Sequence, residues 1–327
     1  MNTPCVKIVE KKRRVPNADE RRETVVDTNI GGRVAAYDIG SNSIKLTIAT
    51  VGEDGQILGE TNSIATVRLG QDVDRTGRLA DDRIAAAFEA LREMSAAARA
   101  AGVSKSIGVA TEAVRVSSNG DEFLAAIKRD FDIDVVRITG QLEAELTYAG
   151  LATLTELTGP TVMVDIGGAS TEVVVGDGPR MIEAVSIRLG SGRLTDTWIV
   201  NDPPSWAEVA AARVAAADRT APLGLSRHAG SRLIVSGGTG NYLSAYLGGE
   251  SALTVPDIDL ALSRMARLPS DELANVIDAP RERARVLPAG VAIILAVADR
   301  VKPATIETMQ SGLRIGLLQA AAKGSLR

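Results

Sequence analysis

The sequence contains one cysteine and one histidine, and each scarcity excludes a class of site. Cys5 is the only cysteine among 327 residues, so the chain forms no intramolecular disulfide, and we expect a reducing compartment, the cytoplasm. His228 is the only histidine, which excludes metal sites built from several histidines and triads that use a histidine base. Any hydrolysis must therefore rely on a carboxylate or a metal-bound water to activate the nucleophile.

Long apolar runs and a strong net charge are also missing. The longest apolar run, residues 286–298, is too short to span a bilayer and contains Pro288 and Gly290, so we expect no membrane partner. The net charge of −4 gives no electrostatic signature of nucleic-acid binding. A polyanionic ligand would therefore have to be met by a local cluster of arginines, lysines, backbone amides and a metal.

The order of predicted elements indicates an α/β protein. Residues 1–30 carry seven basic and five acidic side chains without an aromatic residue, which predicts a disordered extension. A solvated tail is the simpler interpretation of that extension, and an arm that recruits anions is the alternative. Beyond it, strands alternate with helices, for example a helix over 81–101 and a strand over 133–138, and residues 52–55 predict a hairpin turn.

A short acidic turn occurs twice between apolar, β-branched runs. Residues 38–43 read DIGSNS and residues 165–170 read DIGGAS, so the two aspartates are 127 positions apart. A repeat at this distance predicts two similar domains that face each other. Glycines let backbone amides approach an anion, and an aspartate can hold a metal that bridges to phosphate. The plain alternative is that each turn is only a hairpin.

Three further features have both a functional and an ordinary interpretation. Residues 236–240 follow a predicted strand and precede a helix, an arrangement that places amide donors against an anion. Arg68 and Arg193 lie beside glycines and either contact an anion or are surface arginines. Glu143 lies three residues after Gly140, where a glutamate often belongs to a helix capping box.

Taken in order, these segments resemble the exopolyphosphatase and guanosine pentaphosphate phosphohydrolase family, over residues 33–320. The resemblance implies two actin-like α/β domains (the ribonuclease H-like fold of actin, sugar kinases and heat-shock chaperones) with a cleft between them. We expect domain I over 31–142, domain II over 143–308, and a helix within 309–327 that packs back on domain I. The matching segments are 38–43, 68–70, 110–115, 119–123, 138–144, 165–172, 236–239, 287–290 and 312–314.

The resemblance also implies roles for individual residues. Glu143 would be the catalytic carboxylate. Mg²⁺ would be the cofactor, held by Asp38, Asp165 and Glu172. The phosphate-binding set would come from the three glycine-bearing turns and three arginines: Ser41, Asn42, Ser43, Arg68, Arg115, Gly167, Gly168, Ser170, Arg193, Gly237, Gly238 and Thr239.

The chain departs from the family pattern at a few positions. Ala169 stands where a third glycine is usual, Gln141 and Leu142 stand where acids usually precede the catalytic glutamate, and Arg285 stands where an acid is common. These departures bear on the rate and on metal binding more than on the fold.

The expected function is release of terminal orthophosphate from inorganic polyphosphate, from guanosine pentaphosphate, or from both. Two alternatives stay open: a regulator that binds guanosine tetraphosphate, guanosine pentaphosphate or polyphosphate without hydrolysis, and an ATP-dependent small-molecule kinase of the same fold group. We expect no nucleic-acid partner and consider a homodimer as the assembly.

Overall fold

A computed structural model describes residues 7–10, 32–52 and 56–322 of the chain. The strands are β1 (Lys7–Glu10), β2 (Arg33–Ile39), β3 (Ser43–Val51), β4 (Ile57–Thr66), β5 (Lys105–Ala110), β6 (Asp134–Arg137), β7 (Pro160–Ile166), β8 (Thr171–Asp177), β9 (Arg180–Ile187), β10 (Arg232–Ser236), β11 (Ala252–Leu253) and β12 (Ile306–Met309).

The α-helices are α1 (Val73–Thr76), α2 (Asp81–Ala100), α3 (Glu112–Val116), α4 (Gly120–Phe131), α5 (Gly140–Leu154), α6 (Ser191–Trp198), α7 (Trp206–Thr220), α8 (Gly238–Tyr246), α9 (Val255–Met265), α10 (Ser270–Val276), α11 (Arg281–Val301) and α12 (Leu313–Ala322). Two short 3₁₀ helices, Ala221–Leu223 and Leu225–His228, follow α7.

Two mixed sheets share the order of five of their strands, which confirms the predicted fold class. The first sheet runs β1-β4-β3-β2-β5-β6 and the second β11-β12-β10-β7-β8-β9. In the first sheet β2, β3 and β4 are antiparallel neighbours, and β5 and β6 continue the sheet on the other side of β2, parallel to it. In the second sheet β7, β8 and β9 are antiparallel neighbours, and β10 and β12 continue the sheet on the other side of β7, parallel to it. This order is the actin-like, ribonuclease H-like arrangement, once in each domain, so the chain consists of two such α/β domains.

The repeat extends to the strand register beside each aspartate turn. Asp38 in β2 lies opposite Lys45 in β3, and Asp165 in β7 lies opposite Glu172 in β8. Directly opposed residues of an antiparallel pair project on the same side of the sheet. Lys45 and Glu172 therefore occupy equivalent places, one beside each aspartate.

Helix α5 contributes to the cores of both domains. Its Leu146 belongs to an apolar cluster with β2, β5 and α12, while Tyr148 and Leu151 pack with Met163 and Ile234 of the second sheet. Helix α12 packs along α5 and over β2 and β3. Helix α5 is therefore held by both domains at once.

The apolar run over 286–298 lies inside α11, the main buried helix of the second domain. Every residue of this run is buried, and the helix packs on α6, α7, α9 and α10. Among the described residues no helix is long and apolar enough to cross a membrane.

The structure corrects part of the sequence-based description. Residues 1–30 were expected to be disordered, but Lys7–Glu10 form β1, an edge strand antiparallel to β4, so the prediction is wrong for these four residues. A strand forms here because β4 otherwise offers an unpaired edge. The rest of that extension, and residues 53–55 of the predicted hairpin turn, lie outside the described residues.

Helices α5 and α12 approach closely enough that their backbones touch at glycines. A Cβ added to Gly316 would collide with the carbonyl oxygen of Leu146, and one added to Gly150 would collide with the carbonyl oxygen of Gly312. Each of these positions therefore requires the absence of a side chain.

We expect Gly316→Ala to lower the free energy of unfolding by about 1–3 kcal/mol, because overpacking forces the two helices apart. Helix propensity alone would raise that free energy by about 1 kcal/mol, so the sign of the change separates the two effects. Urea denaturation measures it. Gln319→Ala, on the partly exposed side of the same helix, is the control, and stabilisation by Gly316→Ala would contradict the close packing.

Candidate active site

A cavity of about 50 Å³, the inner cavity, lies where the two aspartate turns meet the first turn of α5. Both domains contribute to its wall. Its lining residues are Asp38, Gly40, Ser41, Asn42, Ser43, Lys45, Thr111, Glu143, Asp165, Ile166, Gly167, Gly168, Ser170, Glu172, Gly238, Arg283, Ser311 and Leu313. The structure therefore brings together the predicted catalytic glutamate, the three predicted metal ligands and most of the predicted phosphate-binding residues.

The first aspartate turn carries an acidic and a basic side chain, Asp38 and Lys45, at opposed positions. Asp38 is buried, and its carboxylate accepts a hydrogen bond from Lys45 Nζ at 3.0 Å. Lys45 was absent from the predicted site. The repeat could have revealed it, because Lys45 lies 127 positions before Glu172, the same offset that separates the two aspartates.

At the second aspartate turn both opposed residues, Asp165 and Glu172, are acidic. Asp165 Oδ2 accepts hydrogen bonds from Ser311 Oγ at 2.9 Å and Ser236 Oγ at 3.4 Å. Glu172 Oε1 accepts one from Ser186 Oγ at 2.7 Å. Burial is the largest cause that raises the pKa of Asp165, and burial together with the nearby Asp165 raises the pKa of Glu172 to about 8.

Glu143 faces the inner cavity and does not cap its own helix. The cap of α5 is Thr139, whose hydroxyl accepts a hydrogen bond from the Leu142 amide at 3.1 Å. Glu143 Oε2 is buried and has no hydrogen-bond partner among the described residues. Its nearest cation is Arg115, whose Nη1 lies 4.0 Å from that oxygen.

The electrostatic environment keeps a proton on Glu143 to a higher pH than usual. Burial is the main cause that raises the pKa of Glu143 well above 4.5. The neighbouring carboxylates of Glu172, Asp38 and Asp165 raise it further, in that order. Arg115 lowers it. A carboxylate with an elevated pKa and an unbound oxygen in a cleft has the properties of a general base.

The predicted metal-binding residues suit a hard cation that completes its coordination shell with oxygens of water or of a bound phosphate. Asp38, Asp165 and Glu172 all line the inner cavity, and carboxylate oxygens are what Mg²⁺ prefers. Within the described ranges, however, no three acidic, histidine or cysteine side chains are close enough together to hold a metal by themselves. Mg²⁺ commonly uses one or two carboxylates and completes its shell with water and phosphate oxygens, which this arrangement permits.

The two aspartate turns approach each other because the second has no side chain at Gly168, where it contacts Asn42 of the first. A Cβ on Gly168 would lie 2.9 Å from Asn42 Cβ and 3.0 Å from its backbone nitrogen. The Gly167 amide is occupied by the Ser170 carbonyl at 3.0 Å, and the Gly167 carbonyl accepts from the Ser191 amide at 2.9 Å. The second aspartate turn is therefore fixed by backbone hydrogen bonds and contacts the first domain directly.

Two residues of the third glycine turn do not line the inner cavity. Gly237 has φ +90°, and a Cβ there would meet the Asp165 carboxylate, so glycine is required. Thr239 is buried, and its side chain packs against Gly290 of α11. Of this turn only Gly238 reaches the cavity wall, and a Cβ at Gly238 would collide with the guanidinium of Arg283.

Arg283, which is buried, and Arg314, which is partly buried, are cations absent from the predicted site. Arg283 lines the inner cavity, with its guanidinium carbon 5.3 Å from the centre of the Tyr242 ring. Arg314 donates from Nε to Thr47 Oγ1 at 2.7 Å. Burial lowers the pKa of both guanidinium groups. Three arginines crowd residues 281–285, and no sequence pattern distinguished the one that faces the cavity.

The three predicted phosphate-binding arginines are engaged with carboxylates of the protein. Arg68 Nη2 lies 2.6 Å from Asp196 Oδ1. Arg193 pairs with Asp74, at 2.8 Å from its Nη2, and also donates to the Ala169 carbonyl. These pairs join the two domains outside the inner cavity.

Arg115 is held between the Ile138 carbonyl, which its Nη1 reaches at 2.6 Å, and the buried Glu112. It does not line the inner cavity and touches the site through Glu143 instead.

The departures from the family pattern lie away from the inner cavity. Leu142 packs with the apolar cluster beneath α12, and Gln141 bonds to Glu145 on the exposed side of α5. Ala169 lines a neighbouring, outer cavity. Arg285 donates to the carbonyls of residues 199–201, which ties α11 to that loop.

We expect Glu172→Gln to flatten the pH dependence of stability in metal-free protein. Folding raises the pKa of Glu172 from 4.5 to about 8, so the folded state holds the proton of this carboxyl group more tightly than the unfolded state. The stability gained from this proton is complete below pH 4.5 and is lost as the pH rises towards 8. A glutamine cannot ionise, so the free energy of unfolding of the variant should fall less over this window. Urea denaturation in chelator measures this, with the exposed Glu183→Gln as control. Equal slopes for wild type and Glu172→Gln would refute it.

The chain has relatives among known proteins. A model of the Ppx/GppA phosphatase family matches residues 47–323. Exopolyphosphatase 2 of Mycobacterium tuberculosis is 36% identical over 265 residues, covering 75% of this chain and 78% of that protein. Exopolyphosphatase 1 of the same species is 28% identical over 182 residues, covering 55% of this chain and 53% of that protein.

Solved structures give the same result. The Aquifex aeolicus member of the Ppx/GppA family is 30% identical, with a TM-score of 0.70, covering 91% of this chain and 99% of that one. An exopolyphosphatase from Cytophaga hutchinsonii, 23% identical, shares the fold with a TM-score of 0.81, covering 90% of this chain and 99% of that one. Motifs, strand order and relatives agree, and the chain belongs to the Ppx/GppA phosphatase family.

Proposed function

We propose that this protein is an exopolyphosphatase-type hydrolase that releases terminal orthophosphate from inorganic polyphosphate. The observation that carries the proposal is Glu143, whose unbound carboxylate oxygen faces a cavity walled by two glycine-bearing aspartate turns. The names of the mycobacterial relatives, exopolyphosphatases 1 and 2, support polyphosphate as the substrate class.

In this proposal the inner cavity receives the terminal phosphate group. Hydroxyl groups of Ser41, Ser43 and Ser170 line the cavity and can donate to phosphate oxygens, and Gly168 leaves the backbone accessible beside them. Lys45 and Arg283 supply fixed positive charge on opposite domains. When bound, Mg²⁺ held by the carboxylates of Asp38, Asp165 and Glu172 would neutralise further charge on the phosphate.

Glu143 is assigned to the attacking water. Its free oxygen accepts a proton as the water oxygen bonds to the terminal phosphorus, and the bond from that phosphorus to the bridging oxygen breaks. Orthophosphate leaves together with a chain one phosphate shorter. The same groups would act on guanosine pentaphosphate where its terminal phosphate enters the inner cavity.

The inner cavity does not favour the rival regulator over hydrolysis. A regulator that has lost hydrolysis was suggested by Ala169 and Leu142, but both lie outside the inner cavity and remove no group from it. A small-molecule kinase would transfer phosphate from ATP to an acceptor, and that activity would identify it. We therefore retain hydrolysis as the proposed function.

We expect Glu143→Gln to lower the rate of phosphate release by about 10²–10⁴-fold, the usual contribution of a general base. The measurement is orthophosphate released with Mg²⁺ from long-chain polyphosphate, short-chain polyphosphate and guanosine pentaphosphate in parallel. Glu145→Gln, on the same helix and bonded to Gln141, is the matched control and should keep the wild-type rate. Unchanged release by Glu143→Gln would remove this residue from the mechanism.

We expect the acidic limb of the pH–rate profile to lie above the ordinary range of a glutamate. A general base acts only when deprotonated, and the pKa of Glu143 is raised, so activity should increase as the pH rises through that elevated pKa. Arg115→Gln removes the nearby positive charge that lowers this pKa, so it should move the limb to higher pH.

The profile is obtained from kcat/KM, which reports the pKa of the free enzyme, between pH 5 and 9, a window of about two units on either side of neutrality. Arg115→Lys, which keeps the charge, should restore much of the wild-type position, whereas Arg137→Gln, at an exposed pair with Asp121, is the control. A limb that stays in place in Arg115→Gln would show that Arg115 does not act on the pKa of Glu143.

A further inference from the structure

A second, larger cavity of about 200 Å³, the outer cavity, adjoins the inner one. The two cavities share Ser41, Asn42 and Gly168 in their walls. A chain whose terminal phosphate lies beside Glu143 can continue past these three residues into the outer cavity. The outer cavity is therefore the place for the phosphates next in the chain after the terminal one.

The charge of the outer cavity is unusual for a polyanion site. Three arginines and three aspartates line it, so their formal charges cancel: Arg68, Arg75, Arg193, Asp72, Asp74 and Asp196. Each arginine is paired with one of these aspartates. A phosphate chain that enters must therefore compete with carboxylates of the protein for the guanidinium groups.

The arginines are better fixed than the aspartates that pair with them. The side chains of Arg68 and Arg193 are each 15% exposed, whereas those of Asp196 and Asp74 are 41% and 46% exposed. Arg193 is also anchored by the Ala169 carbonyl, a bond that does not depend on Asp74. Asp196 can therefore turn into solvent, and Asp74 can stay with Arg188, which also donates to it from Nη2 at 2.7 Å, while the guanidinium groups of Arg68 and Arg193 stay in the wall.

Asn42 is an independent sign of a ligand at the junction of the cavities. The residue is only 6% exposed, and its Nδ2 is a buried donor without a hydrogen-bond partner among the described residues. A buried amide donor left unbound costs free energy, which a ligand oxygen would recover. Its position between the cavities suits an oxygen of the phosphate next to the terminal one.

The loop that carries Arg68 is also held in a strained backbone conformation. Arg68 has φ +49° and Asp72 has φ +59°, a region that residues other than glycine seldom adopt. The Arg68 amide is fixed by the Asn42 carbonyl at 2.9 Å. This hydrogen bond holds the Arg68 backbone beside Asn42, at the same junction.

We propose that the outer cavity is a subsite for the second and third phosphates of a polyphosphate chain, and that Asp74 and Asp196 are built-in competitors for it. Phosphate oxygens replace these carboxylates at Arg193 and Arg68 when a chain of three or more phosphates binds. The two aspartates weaken binding of every chain that reaches the subsite and leave orthophosphate unaffected. This inference rests on the proposed function, since it takes polyphosphate as the ligand.

Binding by calorimetry tests the inference without relying on turnover. Full-length Glu143→Gln protein, which should not consume the ligand, is titrated in Mg²⁺ with orthophosphate and with tripolyphosphate. Asp74→Asn and Asp196→Asn are then added singly to this background. Asp130→Asn is the matched control, because Asp130 is 40% exposed, pairs with Arg129 and lies in the same domain as Asp74, away from both cavities.

We expect each cavity variant to bind tripolyphosphate about two- to fivefold more tightly, the scale of one partly exposed ion pair, with orthophosphate affinity unchanged. Asp130→Asn should change neither affinity. Unchanged or weaker tripolyphosphate binding in both cavity variants would overturn the inference and show that these pairs only hold the domains together. Melting temperatures recorded for all variants identify any that fail to fold, and Asp196→Asn then decides in place of Asp74→Asn.

Failure of the proposed function gives a different result. In that case the Glu143→Gln protein without further changes binds no tripolyphosphate, and the inference falls with it. If tripolyphosphate binds and tightens as expected but wild type releases no orthophosphate, the subsite stands and the hydrolytic assignment of Glu143 fails.

Discussion

The burial of several carboxylates in one small cleft is the constraint on which the rest of this structure depends. Glu143, Asp165 and Glu172 have elevated pKa values because they are buried, and carboxylates beside them add to the effect. Such a group of acids persists only where cations, hydroxyl donors and protons offset the charge. Lys45 and Ser311 provide part of this on the protein side. A phosphate ligand adds negative charge to this cleft, so its binding requires a cation, either bound to the ligand or supplied by the protein.

Close backbone packing places this cleft at the junction of the two domains. Helix α5 packs into both cores and against α12 through glycines, so Glu143 in its first turn is positioned by both domains at once. Gly168 allows the second aspartate turn to stand directly against Asn42 of the first. Two residues that depart from the family pattern lie outside the inner cavity. Leu142 packs in the apolar cluster beneath α12, and Ala169 lines the outer cavity.

Much of the fold and part of the site were accessible from the sequence. The 127-residue repeat predicted two similar domains, and the register shows the repeat continuing to Lys45 and Glu172, of which only Glu172 was predicted. Local patterns missed the four-residue helix α1 and the edge strand β1, because both depend on what lies beside them. Arg283 was missed for a related reason. Its role is set by contact with Gly238 and Tyr242, which are distant along the chain.

The sequence by itself determined the types of the elements, the doubling of the domain and the family, because strand and helix periods and glycine-bearing turns are local properties. Only the tertiary structure decided which charges meet. Arg68 and Asp196 are 128 positions apart, and Arg193 and Asp74 are 119 apart. Whether an arginine binds a ligand or a carboxylate of the protein depends on how closely two folded domains approach. Coulomb attraction depends on the charge and the distance of the partner and not on its position in the sequence, so no local pattern encodes that choice.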